Sequence, residues 1–566
     1  MKRLNNIFKK LNNSTTGGAI VIAAFSILSK ILGLLRDRLL AAKFGAGDVL
    51  DAYFAAFRLP DLIFNTLILG ALSAAFIPVF IELKSKHGQK NGYGNMIATL
   101  PVEQLDDEIG LSAGVTVKTD EIANGNDFNH WDLSSAVLNI VSLIMVVFGA
   151  GVCIFAPQLV ALITPGFTGE KMTLTIKLTR IMLLSIVFFG VSNVFSGILQ
   201  SLKKFTVFAL APVAYNLGII VGIIFLVDIW GEVGLGLGVV LGAFLHLMIQ
   251  WPSVRRAGFR WRFILTLKNK AVRQIGKLML PRTVGLAGNQ ISQLITTVIA
   301  SGLLSGSLAI YNLAFNLGSV PISIFAVSLA IATFPGLSES FTQKNHENFR
   351  TQLSSAIRRI LCLMIPISLF MIALRAQIVR LVLGAGSFNW EDTILTADSL
   401  GFFTISIFSQ GLIPLLARAF YALQNTKMPV IISLIAVAIN IVGAVILAPI
   451  MGVMGLALAF SISSIVNLVL LAAMLRHKLG YLDEKKIFIS ILKIVVATLG
   501  GLTFIQLTKY AIASIVDMRT FWGVLIQFGG AGGIGAIVFV IISLIVGSEE
   551  VGEIKKYIIK KRLKNF

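Results

Sequence analysis

Residues 29–60 read SKILGLLRDRLLAAKFGAGDVLDAYFAAFRLP, a run as apolar as a membrane span that nevertheless carries Lys30, Arg36, Asp37, Arg38, Lys43, Asp48, Asp51 and Arg58. An Arg, Lys or Asp at bilayer depth costs roughly 2.5–3.5 kcal/mol on insertion scales, so such residues face a wet cavity or a polar partner. The stretch therefore predicts a membrane helix with a use for charge.

The rest of the chain supplies the membrane setting. Its 566 residues are 56% hydrophobic and only 13% charged, with a mean hydropathy of +0.87, far from the balance of a soluble globular protein. Apolar stretches of about 20 residues or more, long enough to cross a bilayer, recur nearly end to end. Fourteen are read: 18–44, 50–82, 132–164, 172–202, 205–227, 233–250, 274–304, 308–334, 353–374, 394–421, 429–447, 453–475, 487–507 and 521–546. The expected fold is an all-α polytopic membrane protein.

A net charge of +21 suggests nucleic acid only until the basic residues are located. They sit in short connectors at alternate ends of the spans: Lys2, Arg3, Lys9 and Lys10; the group from Arg255 to Arg273; Arg476, Lys478, Lys485 and Lys486; and the tail from Lys555 to Lys564. This is the positive-inside pattern. It places both termini on the cytoplasmic side of the plasma membrane and excludes a nucleic-acid partner. The tail VGEIKKYIIKKRLKNF (551–566) reads as an ordinary basic end, with an amphipathic strip on anionic lipid as the alternative. Cys153 and Cys362 lie in apolar spans, predicting buried free thiols rather than a disulfide or metal site. The sequence contains no Walker loop, GxSxG or HExxH, so ATPase and hydrolase machinery is not expected, and neither is a metal or cofactor.

An internal repeat organises the spans. Residues 51–59 (DAYFAAFRL) match 309–317 (AIYNLAFNL), with Tyr53 against Tyr311 at an offset of 258 residues. Asn216 matches Asn440 at an offset of 224, and 231–238 (GEVGLGLG) matches 452–459 (GVMGLALA). The first six spans recur as the next six, with about 34 extra residues in the first half, the difference between those offsets. The polar, partly acidic connector 83–131 is the candidate insertion. The predicted plan is a cytoplasmic N-terminus (1–17), a six-helix lobe (18–250), a basic cytoplasmic connector (251–273), a second six-helix lobe (274–475), two additional helices (487–546) and a basic tail (547–566). Two halves with the same helix order are related by an axis along the membrane normal, a transporter plan with the site between halves.

Within the first span, Lys30, Gly33 and Arg36 fall close to one helical stripe. Lys30 and Arg36 are expected to line a cavity for an anionic substrate; the alternative is that Arg36 pairs with Asp37 or Asp51, while Arg38 and Lys43 snorkel to the interface. Asp51 is read as a cap of the second span, as the partner that orients Arg36, or as both. Arg58 stands just before Leu59-Pro60, where proline frees backbone groups, and Arg282, after Pro281, has the same character in the second half. Asn65, Asn216, Asn289, Gln290, Gln293, Asn312 and Asn316 are candidates for headgroup contacts, with helix-to-helix bonding as the plainer reading. His246 reads as a packing residue.

The runs SKILGLLRD (29–37), FGAGDVLDAY (44–53), FRLP (57–60), GALSAAFIP (70–78) and TPGF (164–167) resemble the MurJ (MviN) family, over roughly 18–510. That resemblance implies a lipid II flippase of the multidrug/oligosaccharidyl-lipid/polysaccharide exporter superfamily, moving an undecaprenyl-pyrophosphate-linked peptidoglycan precursor outward by alternating access. It implies lipid II and membrane lipids as partners, with the peptidoglycan synthesis machinery as a further candidate. The family's basic pair in span one matches Lys30 and Arg36, and its span-two acid matches Asp51. Where the family places further cavity arginines, this chain has Asn65, beside Phe64, and Asn316; Arg58 and Arg282 are the candidates to supply that charge. Spans seven, eleven and twelve contain no Asp or Glu, which argues against a carboxylate sodium site. The competing readings are an exporter of another polyprenyl-linked glycan or a small molecule, and a non-transporting scaffold or scramblase for wall synthesis.

Overall fold

A computed structural model describes residues 15–68, 71–90 and 128–553, and among them the regular structure is helical throughout. The inserted connector 83–131 lies largely outside the described residues, as do the N-terminus and most of the basic tail. The chain runs through α1 (Thr15–Phe44), α2 (Asp48–Ala56), α3 (Arg58–Leu67), α4 (Ala71–Lys90), α5 (His130–Ile154), α6 (Ala156–Ile163), α7 (Gly169–Ser201), α8 (Phe205–Trp230), α9 (Val233–Met248), α10 (Trp251–Arg256) and α11 (Lys270–Ser301). It continues through α12 (Ser307–Thr342), α13 (His346–Ala373), α14 (Arg375–Val382), α15 (Trp390–Thr404), α16 (Ile407–Ala422), α17 (Lys427–Met451), α18 (Val453–Leu479), α19 (Glu484–Ala513) and α20 (Phe521–Ile545).

Ten helices among the described residues are long and apolar enough to cross a membrane, or eleven if α15 and α16, bent by 43°, form one span. That is a smaller number than the fourteen stretches read from the sequence. The three left over are 18–44, 50–82 and 274–304. The second of these is broken: α2 stops at Ala56 and α3 starts at Arg58. Pro60 is the reason, since it has no N–H to return to the carbonyl four residues back, which is that of Ala56. The other two, within α1 and α11, are long helices that carry several charges.

Packing divides the chain into two compact units, one holding the described residues up to Leu40 and from Ala46 to Leu308, the other Ala41–Gly45 and everything from Ala309 onward. The seventh stretch thus packs within the first unit rather than with the helices that follow it. A sequence repeat and a packing unit need not share a boundary, and α11 is held by side chains of α3, described below.

In the first unit Phe76, Phe80 and Phe195 form a buried core to which Trp131 contributes. Lipid tails are as apolar as leucine, so helix association inside a membrane relies on close packing rather than on escape from water. The contact of α8 with α9 shows this. A Cβ on Gly222 would come within 2.3 Å of the Gly238 Cα, and one on Gly218 within 2.3 Å of the Gly242 Cα. His246 is a packing residue as expected: its Nδ1 lies 2.6 Å from the Ser192 hydroxyl, and Gln250 donates to the same Ser192 at 2.8 Å.

The second unit has Phe334, Phe349 and Phe420 in its main core, and Phe403 buried among Tyr311, Phe315 and Phe460. Its last described residues are anchored by ions: Arg358 on α13 meets Glu549 at 2.9 Å and Glu550 at 2.7 Å. Cys362 is buried and Cys153 half-buried.

Two details recur between the units. α5 breaks at Phe155 (φ −89°, ψ 13°) and continues as the eight-residue α6; α13 breaks at Leu374 (φ −108°, ψ 13°) and continues as the eight-residue α14. The turns before α9 and α18 place Gly231 at φ 59°, ψ −146° and Gly452 at φ 60°, ψ −139°. These glycines are the ones matched by the sequence repeat.

Candidate functional site

The charged face of α1 is built around one guanidinium. Arg36 donates from Nε (3.0 Å) and Nη2 (2.8 Å) to a single oxygen, Oδ1 of Asp37. Its Nη1 makes a longer bond, 3.4 Å, to Oδ1 of Asn216 on α8. Asn216 is oriented for this by its own amide, which donates to the Ser29 hydroxyl at 3.1 Å, the Ser29 carbonyl at 3.3 Å and the Pro212 carbonyl at 3.1 Å. Gly33 lies opposite, where a Cβ would stand 3.9 Å from Asn216 Oδ1. Lys30 and Arg36 are half-buried on this helix, and Asp37 is buried.

The chemistry of the arrangement follows from the fork geometry of arginine. Asp37 occupies the Nε–Nη2 edge and neutralises the charge, which lowers the cost of holding it in the membrane. The Nη1 side is held only by a long bond to a neutral amide, so it is the side an anion displaces most readily.

Asp51 is not the partner of Arg36. Its Oδ2 accepts from Lys171 Nζ at 2.6 Å and from the backbone N–H of Gly306 at 2.8 Å. Lys171 also reaches Asp48 at 2.8 Å and lies 4.1 Å from the ring centre of Phe167. Three connectors thereby meet in the first unit: the one entering α2, the one entering α7 and the one following α11. Ser305 donates to Asp48 at 2.6 Å, and the Gly166 N–H to the Ser301 hydroxyl at 3.2 Å. Gly306 has φ +86°, and a Cβ there would lie 1.9 Å from the Ala46 carbonyl oxygen, so only glycine fits. The bonds from Lys171 and Ser305 hold the Asp48 carboxyl below its ordinary range.

Arg58 is buried, and its guanidinium bonds across to α11: Nε to the Thr297 hydroxyl at 2.8 Å and Nη1 to Gln293 Oε1 at 2.9 Å. Asn65 is half-buried further along α3, and Asn316 half-buried on α12 in the second unit. The side chains of Arg282 and Asn289 lie outside the described residues. Sequence reasoning passed over Lys171; the available signal was its place four residues after the TPGF motif, just before the apolar stretch 172–202.

The described residues form a polytopic helical bundle whose first helix carries cations. The same fold occurs in an inward-facing multidrug resistance MATE family transporter of the MOP superfamily, with a TM-score of 0.61 at 15% identity over 82% of this chain and 99% of that one. A solved structure titled lipid II flippase MurJ, inward closed conformation, matches with a TM-score of 0.72 at 26% identity, covering 93% of this chain and 98% of that one. The probable lipid II flippase MurJ of Buchnera aphidicola subsp. Schizaphis graminum is 28% identical over 500 residues, 88% of this chain and 90% of its own. The lipid II flippase MurJ of Burkholderia cenocepacia is 26% identical over 470 residues, 81% of this chain and 83% of its own. The profile of the Lipid II flippase MurJ family matches residues 40–102 and 122–525, and the chain belongs to that family. Its function is that of a lipid II flippase, translocating a peptidoglycan precursor across the inner membrane; it is a multi-pass transporter and not an enzyme.

Proposed function

We propose that the chain moves lipid II by alternating access, with Lys30 and Arg36 receiving the substrate's pyrophosphate. The observation that carries this is the uneven use of the Arg36 guanidinium: one edge committed to Asp37, the other on a 3.4 Å bond to Asn216. An anionic oxygen replaces that long bond with a charge-assisted one, which is shorter and about twice as strong. Asp37 remains in place, so the site returns to a neutral pair when the substrate leaves. Tight binding would oppose release, and a half-committed arginine is suited to turnover.

Asp51 and Lys171 act in this reading as a latch of connectors at one end of the first unit. With both termini cytoplasmic, as the basic connectors favour, that end is the outer one. Arg58, buried between α3 and α11, is a positioning residue that holds the broken second span to the seventh. Arg282 is assigned a share of the cationic charge for the headgroup, and Asn65 and Asn316 weaker contacts. The fourteen-span plan of six, six and two is supported by the paired kinks at Phe155 and Leu374 and the paired glycines 231 and 452.

The test is lipid II binding by the purified chain. Arg36→Ala should weaken binding on the order of 10- to 100-fold, the loss of a charge-assisted bond worth about 1.5–3 kcal/mol, while Arg38→Ala leaves it unchanged. Equal affinity in wild type and Arg36→Ala would remove Arg36 from the site.

A further inference from the structure

Between α10 and α11 the chain runs without helix from Phe259 to Thr266, with a tight turn at Phe263 where the Ile264 N–H donates to the Arg262 carbonyl at 3.0 Å. Four large apolar side chains of this connector, Trp261, Phe263, Leu265 and Leu267, are exposed by 56%, 77%, 54% and 67%. The segment is nonetheless fixed in place. Asn139 on α5 donates to the carbonyls of Arg262 and Ile264, both at 3.0 Å, and accepts from the Trp261 indole N–H at 2.9 Å. Arg262 meets Asp132 at 3.1 Å, and Phe259 is buried beside Trp131 and Phe195. A tethered strip that holds four large apolar side chains outward needs an apolar covering.

The charges around the strip say what covers it. Arg255, Arg256, Arg260, Lys268, Lys270 and Arg273 are all exposed, and no Asp or Glu occurs in the sequence between Glu232 and Glu339. We propose that residues 255–273 form an interfacial docking strip for anionic phospholipid, the four apolar side chains entering the acyl boundary and the basic residues meeting the headgroup phosphates. Basic clusters beside a membrane helix select acidic lipid electrostatically, and aromatic side chains sit favourably at headgroup level. The strip uses none of the residues assigned to the pyrophosphate, so the two readings stand or fall separately.

The test uses the full chain. Native mass spectrometry with equal phosphatidylglycerol and phosphatidylcholine should show phosphatidylglycerol retained preferentially, and Arg255→Gln/Arg256→Gln/Arg260→Gln/Lys268→Gln should reduce that preference on the order of tenfold. In vesicles, fluorescence quenching attributable to Trp261, taken as the difference between wild type and Trp261→Phe, should be stronger with brominated phosphatidylglycerol than with brominated phosphatidylcholine. Retained lipid preference in a variant that melts like wild type, or quenching equal in the two lipids, would overturn the proposal. A charge variant that fails to fold leaves the quenching comparison to decide.

Discussion

Arg36 is paired with its own sequence neighbour: two nitrogens of its guanidinium, Nε and Nη2, converge on one oxygen of Asp37 at 3.0 and 2.8 Å. The geometry is local, set by two adjacent residues on one helix, and it lowers the cost of keeping an arginine in the membrane while leaving Nη1 on a 3.4 Å bond to Asn216. Asp37→Asn should therefore lower thermal stability, since removing one member of a buried pair costs about 3–5 kcal/mol. The double variant Arg36→Gln/Asp37→Asn should recover much of that loss yet fail to bind lipid II. A double variant as unstable as Asp37→Asn alone would show that the pair does not act as a unit.

Lys171 bridges two carboxylates of very different exposure, Asp51 at 2% and Asp48 at 61%. Asp51→Asn and Lys171→Met should each lower the melting temperature clearly, by several degrees, whereas Asp48→Asn should have a small effect, because exposed pairs contribute about 0–1 kcal/mol. The Asp48 carboxyl is held below its ordinary 3.8. Its contribution is thus fully present above that value and disappears as pH falls through the lower folded one. Melting curves of wild type and Asp48→Asn should run parallel above about pH 5 and converge only in stronger acid; convergence near neutrality would contradict the assignment.

The packing of α8 on α9 leaves no space for a side chain. Gly222→Val would press its branched side chain toward the Gly238 backbone, where even a Cβ comes within 2.3 Å, and overpacking of this kind costs about 1–3 kcal/mol. Reduced yield of folded protein is the expected outcome. Gly151→Val, at a position with no atom within 4 Å of an added Cβ, is the control and should express normally.

At the end of the second unit, Glu550 is buried between Arg358 and the hydroxyls of Ser490 and Ser548. Burial raises its pKa, but hydrogen bonds from its own backbone N–H and the two serines, with Arg358, outweigh that and hold it below the usual glutamate range. Glu550→Gln should cost about 1–3 kcal/mol, the penalty for disturbing a buried charge-assisted network, and should increase amide exchange in 548–553 while leaving α1 unaffected. Unchanged exchange there would show that this ion pair does not anchor the segment.

The all-α membrane class is legible because it is a pattern along the chain, apolar length between basic connectors, and Gly231 and Gly452, matched in the sequence, have φ values that differ by one degree. The break in span two was signalled by Pro60. Partner choice was less accessible. Arg36 had two acidic candidates, and only the fold reveals that Asp51 is turned to Lys171 and Gly306, residues 120 and 255 positions away. The depth of Arg58 is readable from its place before Leu59-Pro60; its bonds to Gln293 and Thr297 depend on α11 packing in the first unit, which no local signal announces. The boundary of that unit, at Leu308, is equally hidden, because it is set by contacts between distant helices and not by a pattern along the chain.

The central claim is that Arg36 carries the pyrophosphate during translocation. The most direct measurement is the accessibility of lipid II at the outer face of the membrane in the native host after depletion of the chain, with variants supplied in trans. Wild type and Arg38→Ala should restore outer-face lipid II, and Arg36→Ala, present in the membrane at normal level, should not. Full restoration by Arg36→Ala would contradict the account.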